Sequence, residues 1–591
     1  MNIRVTLFTA LLLALFCFSA TEGGWEQKIA PALLAELETG QSLEFLVRFK
    51  PQADLSRARK LPSKARKGQY VFEQTRRLAR QTQGQAREIL NSAQAPYRSF
   101  FVVNAIHCRG GLRLARQLAQ LEEVDNLQPN PKVALDMPAP PPETAALNFR
   151  EGVEWGIAAI GADQVWSLGY TGQGVVIGGQ DTGVEWGHPA LKETYRGWDG
   201  ASADHNYNWH DAIHNIDSLN GPPYLPAANP CGLSTPVPCD DHNHGTHTIG
   251  TMTGSTSDQG TSIGVAPDAK WIACRNMERG YGSPASYIEC FEWFLAPTNL
   301  AGENPDPEKA PHVIANSWSC PELEGCTPAN FETMAAVVNT LKAAGIVVVV
   351  SAGNSGSECH TVSTPAAIFE HSFSVGATRQ NDTIANFSSR GTVTVDGSGR
   401  LKPNVAAPGV GVRSSIRNGG FATYSGTSMA GPHVAGAVAL IISARPELAG
   451  QVETIESLLE STARPMLSTP DCGGVPGMSV PNAVYGHGRI DVRSAVEAAL
   501  EATPTKGTEQ KGPIVASPNP VQQTLTLIAP RPFHQDQPLQ LLDLSGRVVQ
   551  SVVWPARTAQ LQLEVQHLPN GVYLYRLGAK DQVHTGRLIK Q

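Results

Sequence analysis

Four residues of this chain could together break an acyl bond, if folding brings them to one point. A serine hydroxyl is a poor nucleophile at neutral pH and needs a base within hydrogen-bond reach. Imidazole supplies that base with a pKa near working pH. A carboxylate fixes the imidazole tautomer and stabilises the imidazolium. A donor aimed at the developing oxyanion contributes roughly 3–4 kcal/mol more. The candidates are Asp181 in Gln180-Asp181-Thr182-Gly183, His244 in Asn243-His244-Gly245-Thr246-His247, Asn354 in Ser351-Ala352-Gly353-Asn354, and Ser428 in Gly426-Thr427-Ser428-Met429-Ala430-Gly431-Pro432-His433. Each has a plainer reading. Ser428 could N-cap a core helix, Asp181 could form a turn before Gly183, and Asn354 could be a left-handed turn residue.

The flanking pattern says which elements must hold them. Residues 434–442 are too apolar for a surface helix, so Ser428 stands where a buried helix begins. There a hydroxyl sits in the positive field of the macrodipole, beside unpaired N–H groups. Short apolar runs at 175–177, 271–273, 312–314 and 346–350 read as central parallel strands, with helical stretches between them. Asp181 and Asn354 follow two of these strands, at the carboxyl edge where open α/β sheets place their sites. Small residues after His244 let a helix pack closely. His242, His244 and His247 could also suggest a metal cluster, but no fixed acidic partner is evident. The fold class is therefore α/β, a layered domain from about 150 to 500 closed by a helix near 492–499.

The chain has 591 residues, 41% of them hydrophobic and 17% charged, more than one core requires. Residues 1–20 read as a secretory signal peptide, too short for a membrane span, and no other stretch has transmembrane length. Residues 24–137 hold 18 Lys and Arg against 11 Asp and Glu, whereas 138–591 hold 27 against 41. This predicts electrostatic association of the two parts. A nucleic-acid arm is disfavoured because the basic residues are spread over a strand and helix pattern. That pattern is a strand at 43–49, a helix over roughly 66–93, a strand at 100–106, a helix near 111–122 and an extended end near 133–135. The proline-rich stretch 137–143 is a stiff linker and a natural cleavage region. A polar linker at 503–512 leads to short alternating strands over 513–591, an all-β module. Of ten cysteines, Cys231, Cys239, Cys274, Cys290, Cys320, Cys326, Cys359 and Cys472 suggest disulfides in an exported chain. The close pairs 231/239 and 320/326 suit loop staples; the pairing of the rest is not readable.

The four motifs, in this order and with the triad members 63 and 184 residues apart, resemble those of the subtilisin-like serine peptidases. Asp204 to Asp211, Cys274-Arg275-Asn276-Met277 and Asn316-Ser317-Trp318-Ser319-Cys320 resemble the bacillopeptidase F-like branch of that family. The resemblance implies a subtilisin-like three-layer domain at 146–502, with Asp181, His244 and Ser428 catalytic and Asn354 in the oxyanion hole. It implies that Ser317, Trp318 and Ser319 form an edge that pairs with extended substrate, by strand addition. Many subtilisins have Gly where Ser319 stands. Trp318 could narrow the primary pocket or be core packing. His433, His360 and Met429 are read as structural. No cofactor is required for the chemistry and other metal sites are unknown. A structural calcium is possible in the oxygen-rich stretch 199–217.

Residues 21–145 resemble the family's inhibitory propeptide, a small α+β domain whose tail blocks the cleft and is cut near 138–150. Residues 513–591, through Ser517-Pro518-Asn519-Pro520, Leu568-Pro569-Asn570-Gly571-Val572-Tyr573 and the terminal strand, resemble a β-sandwich sorting domain for type IX secretion. A carbohydrate- or protein-binding sandwich is the alternative there. The whole reads as a secreted or cell-surface serine endopeptidase, exported through the periplasm as a self-processed zymogen. Its partners would be protein or peptide substrates, its own propeptide and the secretion machinery. The alternative is a surface-displayed binding or adhesion protein on an inactive peptidase scaffold.

Overall fold

A computed structural model describes residues 24–137, 152–215, 229–256, 261–501 and, with short gaps, 515–591. The signal segment, both linkers and part of Ser517-Pro518-Asn519-Pro520 lie outside the described residues. The chain divides into two compact units, 1–502 and 503–591.

The first unit is built on a seven-stranded sheet. Its order is Val405–Pro408, Phe373–Thr378, Val347–Ser351, Val313–Asn316, Val176–Asp181, Lys270–Arg275 and Trp209–Asp211. Every pairing is parallel. The four central strands read from the sequence are all present, and three outer strands, two of them edges, join them. Successive side chains of a strand point to opposite faces, and both faces here are buried. Val347 and Val349 enter one core with the helices His244–Thr253 and Thr427–Ala444, while Val348 and Val350 enter another with Pro284–Leu295 and Pro328–Ala343. This makes the three layers. Thr427–Ala444 has the length and hydropathy of a membrane span, which the sequence reading missed, but it is enclosed in the protein. Its Gly and Ala residues let it lie tight against the sheet and against His244–Thr253.

Residues 24–137 form a four-stranded antiparallel sheet in the order Tyr97–Phe100, Ala105–Gly110, Leu43–Phe49, Val124–Pro129. Phe45, Val47 and Phe49 face its own helices, whereas Leu46 joins the core formed by Phe331, Met334 and Val338 of the larger sheet's outer layer. The expected helix over 66–93 is two helices, Lys64–Thr82 and Gly84–Ser92, and the expected strand at 100–106 is broken by a turn. One buried side chain accounts for both. Gln83 Nε2 donates to Phe100 O and Asn104 Oδ1, each at 2.9 Å, so the helix gives way where Gln83 fills the turn.

That turn docks on the helix Pro284–Leu295. Glu292 accepts from the N–H groups of Phe101 and Val102, the latter at 2.9 Å. Around it, Arg98 pairs with Glu289 at 2.9 Å and Arg48 with Glu332 at 2.8 Å, as the charge asymmetry predicts. Enclosure under the turn pushes the Glu292 carboxyl up from about 4.5 to about 7. Its pKa in the docked state is therefore the higher one. The stabilisation is complete below its ordinary range and is lost as pH rises through about 7. Uncut protein should melt at a lower temperature at pH 8 than at pH 5, and Glu292→Gln should flatten that slope. An unchanged slope in the variant would refute the assignment.

Four disulfides are present: Cys231–Cys239, Cys274–Cys290, Cys320–Cys326 and Cys359–Cys472. The two loop staples are as expected. Cys274–Cys290 ties a central strand to its covering helix, and Cys359–Cys472 spans 113 residues. Cys108 is free and buried. Cross-links over long loops restrict the unfolded chain most. The double variant Cys359→Ala/Cys472→Ala should lose about 2–5 kcal/mol of stability, read as a lower Tm.

The second unit has two antiparallel sheets, Val515–Ser517, Thr524–Ile528, Gln560–Glu564 and Val548–Trp554, Gln537–Leu542, Gly571–Leu577, His584–Lys590. Leu525, Leu527, Leu539, Leu541, Trp554 and Tyr575 fill the space between them, so it is a sandwich.

Candidate active site

Asp181 is the last residue of its strand and only 4% exposed. His244 opens the helix His244–Thr253 and is fully buried. His244 Nδ1 lies 2.8 and 2.9 Å from the two Asp181 carboxylate oxygens. A ring nitrogen facing a carboxylate at that distance carries the proton, so Nε2 is left with its lone pair. Among the described residues Nε2 has no hydrogen-bond partner. Asp181 also accepts from Thr182 N–H at 2.7 Å and from Thr248 Oγ1 at 3.3 Å. These bonds hold the carboxylate in one orientation.

Two residues that the sequence reading passed over lock this pair. Thr182 Oγ1 accepts from Gly245 N–H and donates to Asp240, both at 2.9 Å. Asp240 accepts in turn from the N–H groups of His242, Asn243 and Thr246, and so caps the start of the histidine helix. Gly245 is required by the close approach. A Cβ there would lie 2.0 Å from Gly183 O, and that contact is backbone. The signal available in the sequence was Asp240 four residues before the helix, a capping residue by type.

Ser428 is the second residue of the helix Thr427–Ala444, whose N-cap position is Gly426, so Ser428 does not cap it. Its hydroxyl-bearing turn is fixed by Asn354, which follows the strand Val347–Ser351. Asn354 Oδ1 accepts from Thr427 N–H at 2.9 Å and from Thr427 Oγ1 at 3.0 Å. The amide's other end, Nδ2, points the opposite way. It donates to the main-chain carbonyl of Asp136 at 2.8 Å.

Asp136 belongs to the tail of the small N-terminal sheet, and that tail runs through the cleft. Val133–Ala134 pairs antiparallel with Tyr281–Gly282. Leu135 N–H donates to Gly280 O at 2.7 Å. Met137 is half-buried against Val412, Ile416, Tyr424 and Met429. The extended end read near 133–135 is thus a strand added to the cleft's edge.

The remaining candidates are less central. Ser351 Oγ bonds Ser317 Oγ at 3.1 Å. Trp318 is buried, stacked on Tyr287 at 4.2 Å and edge-on to Phe291, which makes it core packing. Ser319 is half-buried, and among the described residues 317–319 carry no strand pairing. His247 hydrogen-bonds Val412 O and Ala422 O, and burial holds its pKa down to about 3. With His244 bound to Asp181, the three histidines do not converge on a metal. His433 bonds Met429 O at 2.8 Å, burial lowers it to about 4, and His360 bonds Thr392 O. Both are structural, as read. Of the oxygen-rich stretch 199–217, residues 216 and 217 lie outside the described residues. Asp199 and Asp204 accept N–H groups within their own turns, and Asp211 holds Arg275. Among the described residues no three His, Cys, Asp or Glu side chains could hold a metal.

A carboxylate, an imidazole and a serine at the carboxyl edge of a parallel sheet define a class of hydrolase scaffold, and comparison with known proteins gives its family. The chain belongs to the subtilase family, which residues 172–488, more than half of it, match. It is 33% identical over 528 residues to Bacillopeptidase F of Bacillus subtilis (strain 168), covering 83% of this chain and 34% of that protein. It therefore spans about a third of that relative's length. Subtilisin E of the same organism is 30% identical over 356 residues, covering 60% of this chain and 73% of the relative. Subtilisin of Bacillus pumilus is 30% identical over 351 residues, covering 59% and 100%. Residues 516–591 match the Secretion system C-terminal sorting domain. The second unit is thus a type IX secretion sorting domain, which directs the chain through the periplasm to the cell surface or outside.

Proposed function

We propose that this protein is a secreted serine endopeptidase made as a zymogen. The observation that carries the reading is the buried Asp181–His244 pair with Nε2 unpartnered, in a cleft where the Asn354 amide donates to a peptide carbonyl. Ser428 Oγ attacks the scissile carbonyl and His244 Nε2 takes its proton. Asp181 keeps the ring oriented and stabilises the imidazolium. Asn354 Nδ2 and the Ser428 N–H hold the oxyanion. His244 then returns the proton to the leaving amine, and water hydrolyses the acyl-enzyme. These side chains supply nucleophile, base, orienting charge and oxyanion donor, so no cofactor is needed. Substrates bind as extended peptides along the cleft edge, where Tyr281–Gly282 holds the chain's own tail, with Ser317 and Ser319 assigned to the facing side and Trp318 packed behind them in the core.

Residues 21–145 act as the intramolecular inhibitor, 146–502 as the peptidase domain and 513–591 as the exported tail. The inhibitor's face shares a core with the peptidase layer through Leu46, Phe100, Val102 and Val133. A fluorophosphonate probe tests the reading, because it reacts with an activated serine. Mature protein should be labelled stoichiometrically at Ser428, and a folded mature protein that stays unlabelled would be an inactive scaffold.

A further inference from the structure

We propose that the first bond this enzyme cuts is its own Asp136–Met137 bond, and that the Asp136 carboxylate is read by the Asn354 backbone. The inference rests on the peptidase reading above. An oxyanion donor identifies the carbonyl it polarises. Here Asn354 Nδ2 donates to the Asp136 oxygen. The chain then passes Met137 against the cluster of Val412, Ile416, Tyr424 and Met429, and Met429 is the residue following Ser428. The Asp136–Met137 peptide bond therefore lies between the oxyanion donor and the start of the nucleophile helix. This moves the expected cut from 138–150 to one defined bond upstream.

The aspartate side chain is recognised as well. Asp136 Oδ2 accepts from Asn354 N–H at 3.1 Å, so one residue grips both the carbonyl and the side chain of the same aspartate. Three residues upstream, Val133 is fully buried in the core that holds Tyr287 and Trp318. Val133 itself pairs with Gly282, and between it and the aspartate Ala134 pairs with Tyr281 while Leu135 N–H donates to Gly280 O. The substrate class is an extended peptide with a branched apolar residue, two spacers and an aspartate before the cut. Ser428 Oγ adds to the Asp136 carbonyl carbon and passes its proton to His244. The C–N bond to Met137 breaks as that proton reaches the Met137 nitrogen. One water then hydrolyses the ester, leaving Asp136 with a free carboxyl group and restoring Ser428.

The test uses the full chain. The prosegment released by the wild type should end at Asp136 by intact mass, whatever later trimming the new N-terminus undergoes. Met137→Pro should block self-cleavage. Asp136→Lys, at an exposed side chain, should slow it at least tenfold without loss of folding by circular dichroism. A wild-type prosegment ending elsewhere, or Met137→Pro cutting at the wild-type rate, would overturn the assigned bond and leave the peptidase reading standing. Asp136→Lys cutting at the wild-type rate would overturn the recognition by Asn354. Self-cleavage by Ser428→Ala would instead overturn the peptidase reading beneath both.

Discussion

The Ser428→Ala chain should accumulate uncut, folded, with residues 24–136 still attached and no measurable proteolysis. In subtilisin, the type case of this arrangement, losing the serine costs about 2 × 10⁶ in kcat, as much as losing the whole triad. The loss is that large because the three groups act as one unit. His244 and Asp181 have nothing to activate once the hydroxyl is gone. Folding should be spared. Ser428 is not the helix cap, and the start of its helix is held by Asn354 through Thr427. The comparison to make is gel mobility and intact mass of wild type and variant after export, together with peptide hydrolysis. A variant that sheds its prosegment normally would remove Ser428 from the chemistry.

Asn354 gives the second large effect, and its two ends can be separated. Asn354→Ala removes the proposed oxyanion donor and the acceptor for Thr427. It should lower kcat by about 10²–10³ and also lower the melting temperature. Asn354→Asp keeps an oxygen for Thr427 but turns the donor into a carboxylate. It should be as stable as wild type and at least as inactive as the alanine variant, since a negative charge would face the developing oxyanion. Measuring kcat and Tm for both decides the matter. Two variants with wild-type kcat would show that the amide does not serve the transition state.

The parts of the site that were legible in the sequence are those whose cause is local. Asp181 follows a run of apolar residues that can only be a buried strand, and Ser428 begins a helix too apolar for any surface. Asp240 and Thr182 were not legible as partners, because 58 residues separate them and their bond exists only once strand and helix meet. Trp318 was left between pocket and core, and its stacking on Tyr287 depends on a helix elsewhere in the chain. The break at Gln83 escaped for a similar reason. Helical periodicity runs through it, and the competing bonds come from residues 100 and 104. The tail at 133–137 was hardest. Nothing in Val-Ala-Leu-Asp-Met sets it apart by composition, and two residues of pairing with Tyr281–Gly282 are visible only in three dimensions.

The cysteine arrangement has a consequence for assembly in an oxidising compartment. Among the described residues every cystine lies within 231–472, while the one free thiol, Cys108, sits inside the core of the small N-terminal sheet at 1% exposure. Burial pushes its pKa up, which keeps it from the thiolate form that attacks disulfides. An odd sulfur is the usual source of scrambled pairings during oxidative folding. Here it is sequestered in the core of the N-terminal segment, and on the proposed zymogen reading it would leave with that segment at maturation. The finished enzyme would then carry only paired cysteines, with no internal reagent able to reshuffle them.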